Sequence, residues 1–270
     1  MGTVPFGVSG KLTLARRVSR PSAGLIAQAS GIESLRHARS PGLTHSPADR
    51  RRIVYLHGFA SGPRSKKSST FRETLEPLGW LVDIPDLNPT DFRDLTVGGM
   101  LTLSESVIRR SAPEPVALVG SSLGGYLAAT LAGYCSQVAA LVLLAPAFDL
   151  RSRWAQRLGP DALRTWQRLG TIGIYHHGLK AEQPLAYKFY EESEGYPAFP
   201  EIGATPTLIF HGRHDDTVPV ETAQRFALGR PNVDLRILDD GHELLESAQQ
   251  IVEEARQFFE SHVPRARSQK

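Results

Sequence analysis

The chain has 270 residues, 41% hydrophobic and 22% charged, enough for one α/β domain with a sizeable core and ordinary for a globular enzyme. Its longest apolar stretch, Val138 to Ala147, falls short of the roughly 18 residues that a membrane span needs, so stable membrane insertion is not expected. The formal charge of +3 is uneven: residues 1–52 hold nine Lys/Arg against Glu33 and Asp49, a net of +7 that leaves −4 for the remainder, so the basic character belongs to a leader and gives no case for a nucleic-acid surface.

Residues 1–50 lack clean periodicity and are rich in Ser, Gly, Pro and Arg. That composition predicts a disordered or loosely attached extension. Arg16 and Arg17 interrupt the apolar residues, which excludes the compact core of a secretory signal. An Arg-rich, acid-poor leader is shared with organelle transit peptides, and a mis-assigned start would look the same. The single cysteine, Cys135, permits no intrachain disulfide and fits a reducing, cytoplasmic setting. Its place at the end of a buried helix assigns it to packing.

From residue 51 to about 265 the chain reads as one domain. Short apolar runs at Ile53–Leu56, Trp80–Ile84, Val116–Val119, Val138–Leu144, Thr207–Phe210 and Leu235–Leu238 predict strands. Several are apolar on consecutive positions, as strands covered on both faces should be. Helices are expected near residues 65–78, 96–111, 123–134, 220–228 and 244–261. This alternation predicts a mostly parallel, doubly wound α/β sheet. The interval from about 149 to 203 breaks the rhythm. It holds helical stretches and no convincing strand, and is expected to form a cap over the carboxyl edge of the sheet. Trp154, Trp166, His176 and His177 fall in it and are candidates to line an acyl pocket, against the alternative that they pack among themselves.

The strand Val116–Val119 runs through Gly120-Ser121-Ser122-Leu123-Gly124 into a helix. Gly-x-Ser-x-Gly between a strand and a helix is the nucleophile elbow: the sharp turn exposes the Ser122 hydroxyl, and side chains at Gly120 or Gly124 would collide with backbone. Ser121 occupies an x position and is expected to point elsewhere.

A serine nucleophile needs a base, and the base needs a carboxylate to orient it, in the chain order Ser, acid, His. Two strand ends supply them. Thr207–Phe210 leads into His211-Gly212-Arg213-His214-Asp215-Asp216, and Leu235–Leu238 leads into Asp239-Asp240-Gly241-His242. His242 is the expected base. Asp215 is preferred over Asp216 as the acid from the Asp-x-x-Val-Pro spacing, and Asp216 is expected to cap the helix that begins near Pro219. The first strand ends in His57-Gly58-Phe59, which makes the N–H groups of Phe59 and Leu123 the expected oxyanion donors and leaves His57 a structural role. A second class, a metal-dependent hydrolase, draws on the cluster His211, His214, Asp215 and Asp216, but the usual metallo-hydrolase spacing is not met. A third, a non-catalytic ligand-binding protein, would have no need of a triad.

These segments, together with Tyr55 to Pro63, Ile84-Pro85-Asp86-Leu87, Leu143 to Phe148 and Gly241-His242-Glu243-Leu244, resemble the α/β-hydrolases of the YqiA-like esterase group. They are also similar to the mitochondrial acyl-protein thioesterases of the same fold. The resemblance covers residues 53 to about 260 and implies an α/β-hydrolase fold with a short helical cap. It implies no cofactor and no metal, the triad Ser122, Asp215 and His242, and Phe59 and Leu123 at the oxyanion. It also implies a small-molecule acyl ester or thioester as substrate. Short to medium acyl chains, and a monomer or small homo-oligomer, complete the expectation. A serine at the elbow sets the chain apart from the haloalkane dehalogenases and many epoxide hydrolases, which need Asp there.

Overall fold

In a computed structural model the described residues are 51–265, with the backbone of Pro5–Phe6 and Gly10–Lys11, which pair antiparallel. The basic leader of residues 1–50 otherwise lies outside them. Six strands form one parallel sheet: β1 (Arg52–Leu56), β2 (Leu81–Asp83), β3 (Val116–Ser121), β4 (Val138–Leu144), β7 (Thr207–Gly212) and β8 (Val233–Leu238), in the order β8-β7-β4-β3-β1-β2. All six sit where the apolar runs predicted strands. Every residue of β3 and of β7 is buried, which accounts for their unbroken apolar character. β8 closes one edge and turns Asp234 and Arg236 to solvent.

The alternation along β1 shows how the sheet divides the core. Ile53 and Tyr55 face α1 (Lys66–Leu75) and α7 (Ala248–His262), where they join Phe71, Leu75, Val252 and Phe259. Val54 and Leu56 face the opposite layer, with α2 (Val97–Arg109), α3 (Leu123–Ala132) and α6 (Val220–Ala227). Cys135 belongs to that second cluster, and burial is the main effect pushing its thiol pKa up, as a packing residue requires. The chain goes outward from β1 to β2, then returns to the other side of β1 to form β3. Loops leaving β1 and β3 therefore diverge, and this switch point opens a crevice at the carboxyl edge.

The segment between β4 and β7 differs from expectation. It begins with α4 (Leu150–Leu169), broken at Gly159-Pro160, where Gly159 has φ +73°. Then come two antiparallel strands, β5 (Thr171–His176) and β6 (Ala181–Ala186), before a short helix α5 (Lys188–Glu192). The sequence reading found no strand here, and the structure corrects it. β5 does bury Ile172, Ile174 and His176 with period two, but Gly173 and Pro184 weaken the strand pattern. Pro184 is tolerated because, among the described residues, its strand pairs on one side only. The segment folds back onto the β1 loop: the His177 N–H donates to the Ala60 carbonyl at 2.8 Å, and Phe59 meets Trp154 edge-on at 5.4 Å. No helix of the described residues is long and apolar enough to cross a membrane.

Candidate active site

Ser122 lies between β3 and α3 with φ +52° and ψ −115°, a conformation L-residues rarely adopt. The glycines on either side permit it. A Cβ on Gly120 would stand 2.3 Å from the Gly124 carbonyl oxygen, and one on Gly124 would stand 2.0 Å from that of Leu56. Both approaches are possible only without side chains. The turn delivers the Ser122 hydroxyl to the carboxyl edge of the sheet at the N-terminus of α3.

The structure brings the three expected side chains together from three loops. His242 Nε2 lies 3.1 Å from Ser122 Oγ, and His242 Nδ1 lies 2.7 Å from Asp215 Oδ2. With Nδ1–H donating to the carboxylate, Nε2 is left to accept the serine proton. The side chain of Asp215 is wholly buried, and burial is the largest single influence on it, working against ionisation. It is outweighed by donors. Oδ2 accepts from His242, and Nε2 of the buried His211, which donates to the Val218 carbonyl at 2.8 Å, stands 3.1 Å from the same oxygen; Oδ1 accepts the N–H groups of Thr217 at 2.9 Å and Val218 at 2.7 Å. Together these hold the carboxyl well below the usual carboxylate range.

Asp216 is excluded from this arrangement. It is exposed and accepts from the Thr217 hydroxyl at 3.1 Å. Nor does it cap α6, as the sequence reading expected: that helix starts after Pro219 with no side-chain cap. The fixed φ of Pro219 and the Asp215 bonds to Thr217 and Val218 set the start of the helix instead. The proposed metal cluster disperses for similar reasons. His211 points inward to Asp215, whereas His214 is exposed beside Asp239 at 2.8 Å. Among the described residues no group of three or more His, Cys, Asp or Glu is placed to hold a metal ion.

The two expected oxyanion donors flank the serine. The Leu123 N–H is the first amide of α3, which the helix itself leaves without a partner. Phe59 follows Gly58, and a Cβ on Gly58 would come within 3.4 Å of Ser122 Cβ, so this loop passes directly beside the nucleophile. His57 takes no part. Its buried ring bonds the Gly58 carbonyl through Nδ1 at 2.9 Å and accepts the Leu87 N–H at Nε2 at 3.0 Å, which ties the loops after β1 and β2 together.

Above Ser122 the loops and the β4–β7 segment line an open cavity of about 1510 Å³. Phe59, Phe92, Trp154 and Phe189 line it and pack ring to ring, with Phe59 5.8 Å from Phe92 and 5.5 Å from Phe189. His176 and His177 also face it. Trp166 does not: it is fully buried behind Trp154 and donates to the Leu185 carbonyl at 3.1 Å.

Three contributors escaped the sequence reading. His211 was read as a strand end, although it stands four residues before Asp215. Asp240 braces the loop of His242, its two carboxylate oxygens taking the N–H groups of Gly241 at 2.7 Å and Ser247 at 2.9 Å; an Asp just before Gly-His is a signal for such a turn. Arg153 reaches from α4 to the Thr217 carbonyl at 2.6 Å. No local pattern announces it.

Solved structures share this architecture. Alpha/beta hydrolase domain-containing protein 10 from mouse is 21% identical with a TM-score of 0.64, the match covering 78% of this chain and 90% of that one. A protein of the alpha/beta superfamily from Xanthomonas campestris pv. campestris is 26% identical over 78% and 98%, with a TM-score of 0.56. The esterase domain of a Rhodothermus marinus protein is 20% identical over 82% and 90%, with a TM-score of 0.61. The fold is that of the α/β-hydrolases. The family model that matches, over residues 52–260, is that of the group the elbow and strand-end motifs resemble; the chain belongs to the uncharacterised protein family UPF0227.

Proposed function

We propose that the protein is a serine hydrolase that cleaves carboxylic esters of short to medium acyl chains through an acyl-enzyme, with Ser122 as nucleophile, His242 as base and Asp215 as orienting acid. The observation that carries this reading is the unbroken chain Ser122 Oγ, His242 and Asp215, at 3.1 and 2.7 Å, under a strained elbow. His242 Nε2 takes the Ser122 proton as Oγ attacks the carbonyl carbon. The negative charge gathering on the carbonyl oxygen is received by the N–H groups of Phe59 and Leu123. The imidazolium, steadied by the ionised Asp215, then gives its proton to the departing oxygen. Water activated by the same histidine releases the acid and restores Ser122.

An acyl-protein or acyl-CoA thioester would use the same groups, and the aromatic wall around Phe59 suits an apolar acyl chain in either case. Rates on matched aryl esters and acyl thioesters of increasing chain length separate the two. A phosphonate probe tests the reading itself: wild-type protein should be labelled on Ser122, and S122A should not. The segment of residues 149–203 acts as the cap of this site, and the lone thiol of Cys135 supports a reducing compartment such as the cytoplasm.

A further inference from the structure

One charge in the cavity has no part in the acyl transfer proposed above. Arg153, in the first turn of α4, stands on the wall formed by Ala147, Leu150 and Thr217. Its guanidinium donates to two neutral carbonyls, Thr217 O at 2.6 Å and, weakly, Phe148 O at 3.4 Å. Among the described residues no carboxylate lies within 4.0 Å of it. The charges that act on it are Asp215, already bonded to His242 and to two backbone amides, the neighbouring Arg157, which repels it, and Asp149, which forms no ion pair with it. Burial is the main effect on Arg153 and brings its pKa down to about 10, an effect that attraction to Asp215 does not cancel. A half-buried cation that no carboxylate touches is costly to keep, and its two bonds leave guanidinium N–H groups over for a ligand.

The mouth of the cavity has the same sign. Arg64 and Lys66, at the start of α1, and Lys180, in the β5–β6 turn, line it without an ion pair among the described residues. Lys67 is matched by Glu243 at 3.2 Å; the lining acids Asp86 and Asp91, bonded to Asn88 and to the Arg93 N–H, keep their charge but are outnumbered by the lining cations. This positive lining stands out in residues 53–270, whose net charge is −4.

We infer that Arg153 is the anion-recognising residue of the cavity, and that the substrate is an ester or thioester bearing a carboxylate or phosphate group. A carboxylate or phosphate lying against the guanidinium would accept its remaining N–H groups and supply the missing counter-charge, strengthened by the partial exclusion of water. The inference rests on the serine-hydrolase reading of the same site.

Two matched pairs test it. One is p-nitrophenyl hydrogen succinate against p-nitrophenyl methyl succinate, which places a carboxylate on the acyl side. The other is butyryl-coenzyme A against S-butyryl-N-acetylcysteamine, which places phosphate on the leaving side. Wild-type protein should favour the anionic member of one pair by about 10- to 100-fold in kcat/KM, the range of a charge-assisted hydrogen bond. The pair that shows the preference identifies the source of the anion. R153M should bring that ratio towards one, and R153K should retain part of it. Should R153M fail to fold, the wild-type ratio and R153K still decide. Turnover of both pairs without preference overturns the inference alone, as does an unchanged ratio in folded R153M. Failure of every substrate, with Ser122 unlabelled, overturns the hydrolase reading and the inference with it.

Discussion

A Cβ atom on Gly212 would stand 2.3 Å from the carbonyl oxygen of Asp240, so the loop carrying Asp215 and the loop carrying His242 touch through a residue that has no side chain. That contact sets the separation of acid and base. G212A should force the loops apart and lengthen the 2.7 Å bond between His242 and Asp215. We expect kcat/KM to fall by about 100-fold, the scale of a displacement near 1 Å, with the far-ultraviolet circular dichroism unchanged. Activity within two-fold of wild type would mean that the loops do not depend on this contact.

The adjacent acids should separate cleanly. D215N leaves an amide against the His242 donor and removes the charge that steadies the imidazolium, so kcat should drop by about 10³- to 10⁴-fold. D216N alters an exposed residue that accepts from the Thr217 hydroxyl and does not touch His242, and its kcat should stay within about two-fold, as for surface changes generally. Steady-state kinetics on one aryl ester compares the two.

Asp215 also makes stability depend on pH in a definite direction. Its folded pKa lies below the unfolded value of about 3.9, so its contribution is complete above that value. It is lost as pH falls through the lower, folded value. In urea unfolding, the advantage of wild type over D215N should therefore be steady from about pH 7 to 5 and shrink below about pH 4. An advantage that grows on acidification would contradict the hydrogen-bonded carboxylate.

The two tryptophans of α4 should respond differently. W166A removes a fully buried ring and should cost about 3–5 kcal/mol of stability in chemical denaturation. W154A opens the cavity wall beside Phe59 and should shift the preferred acyl chain length along an ester series. A chain-length profile that moves with Trp166 and not with Trp154 would place the acyl pocket elsewhere.

The sheet was legible because its central strands, such as β3 and β7, are covered on both faces and therefore mostly apolar on consecutive positions. Ser122 was legible because its conformation is set locally, by Gly120 and Gly124. Asp215 and His242 followed because each stands just past the end of a strand. The ribbon of Thr171–His176 and Ala181–Ala186 was not legible: Gly173 and Pro184 dilute its pattern, and its two strands pair with each other rather than with the main sheet. The role of His211 depends on a contact made only once the loop has turned, and that of Arg153 on α4 packing against the Asp215 loop. Such pairings arise in tertiary structure and leave no mark on local sequence. The same reason explains the mistaken capping role for Asp216.

The central claim is that Ser122 is an activated nucleophile. The most direct measurement is intact-mass and peptide mass spectrometry after treatment with a fluorophosphonate. The account predicts one adduct per chain on the peptide containing Ser122, absent in S122A and much slower in H242A. Folded wild-type protein that stays unlabelled, or that carries the adduct at another serine, would contradict it.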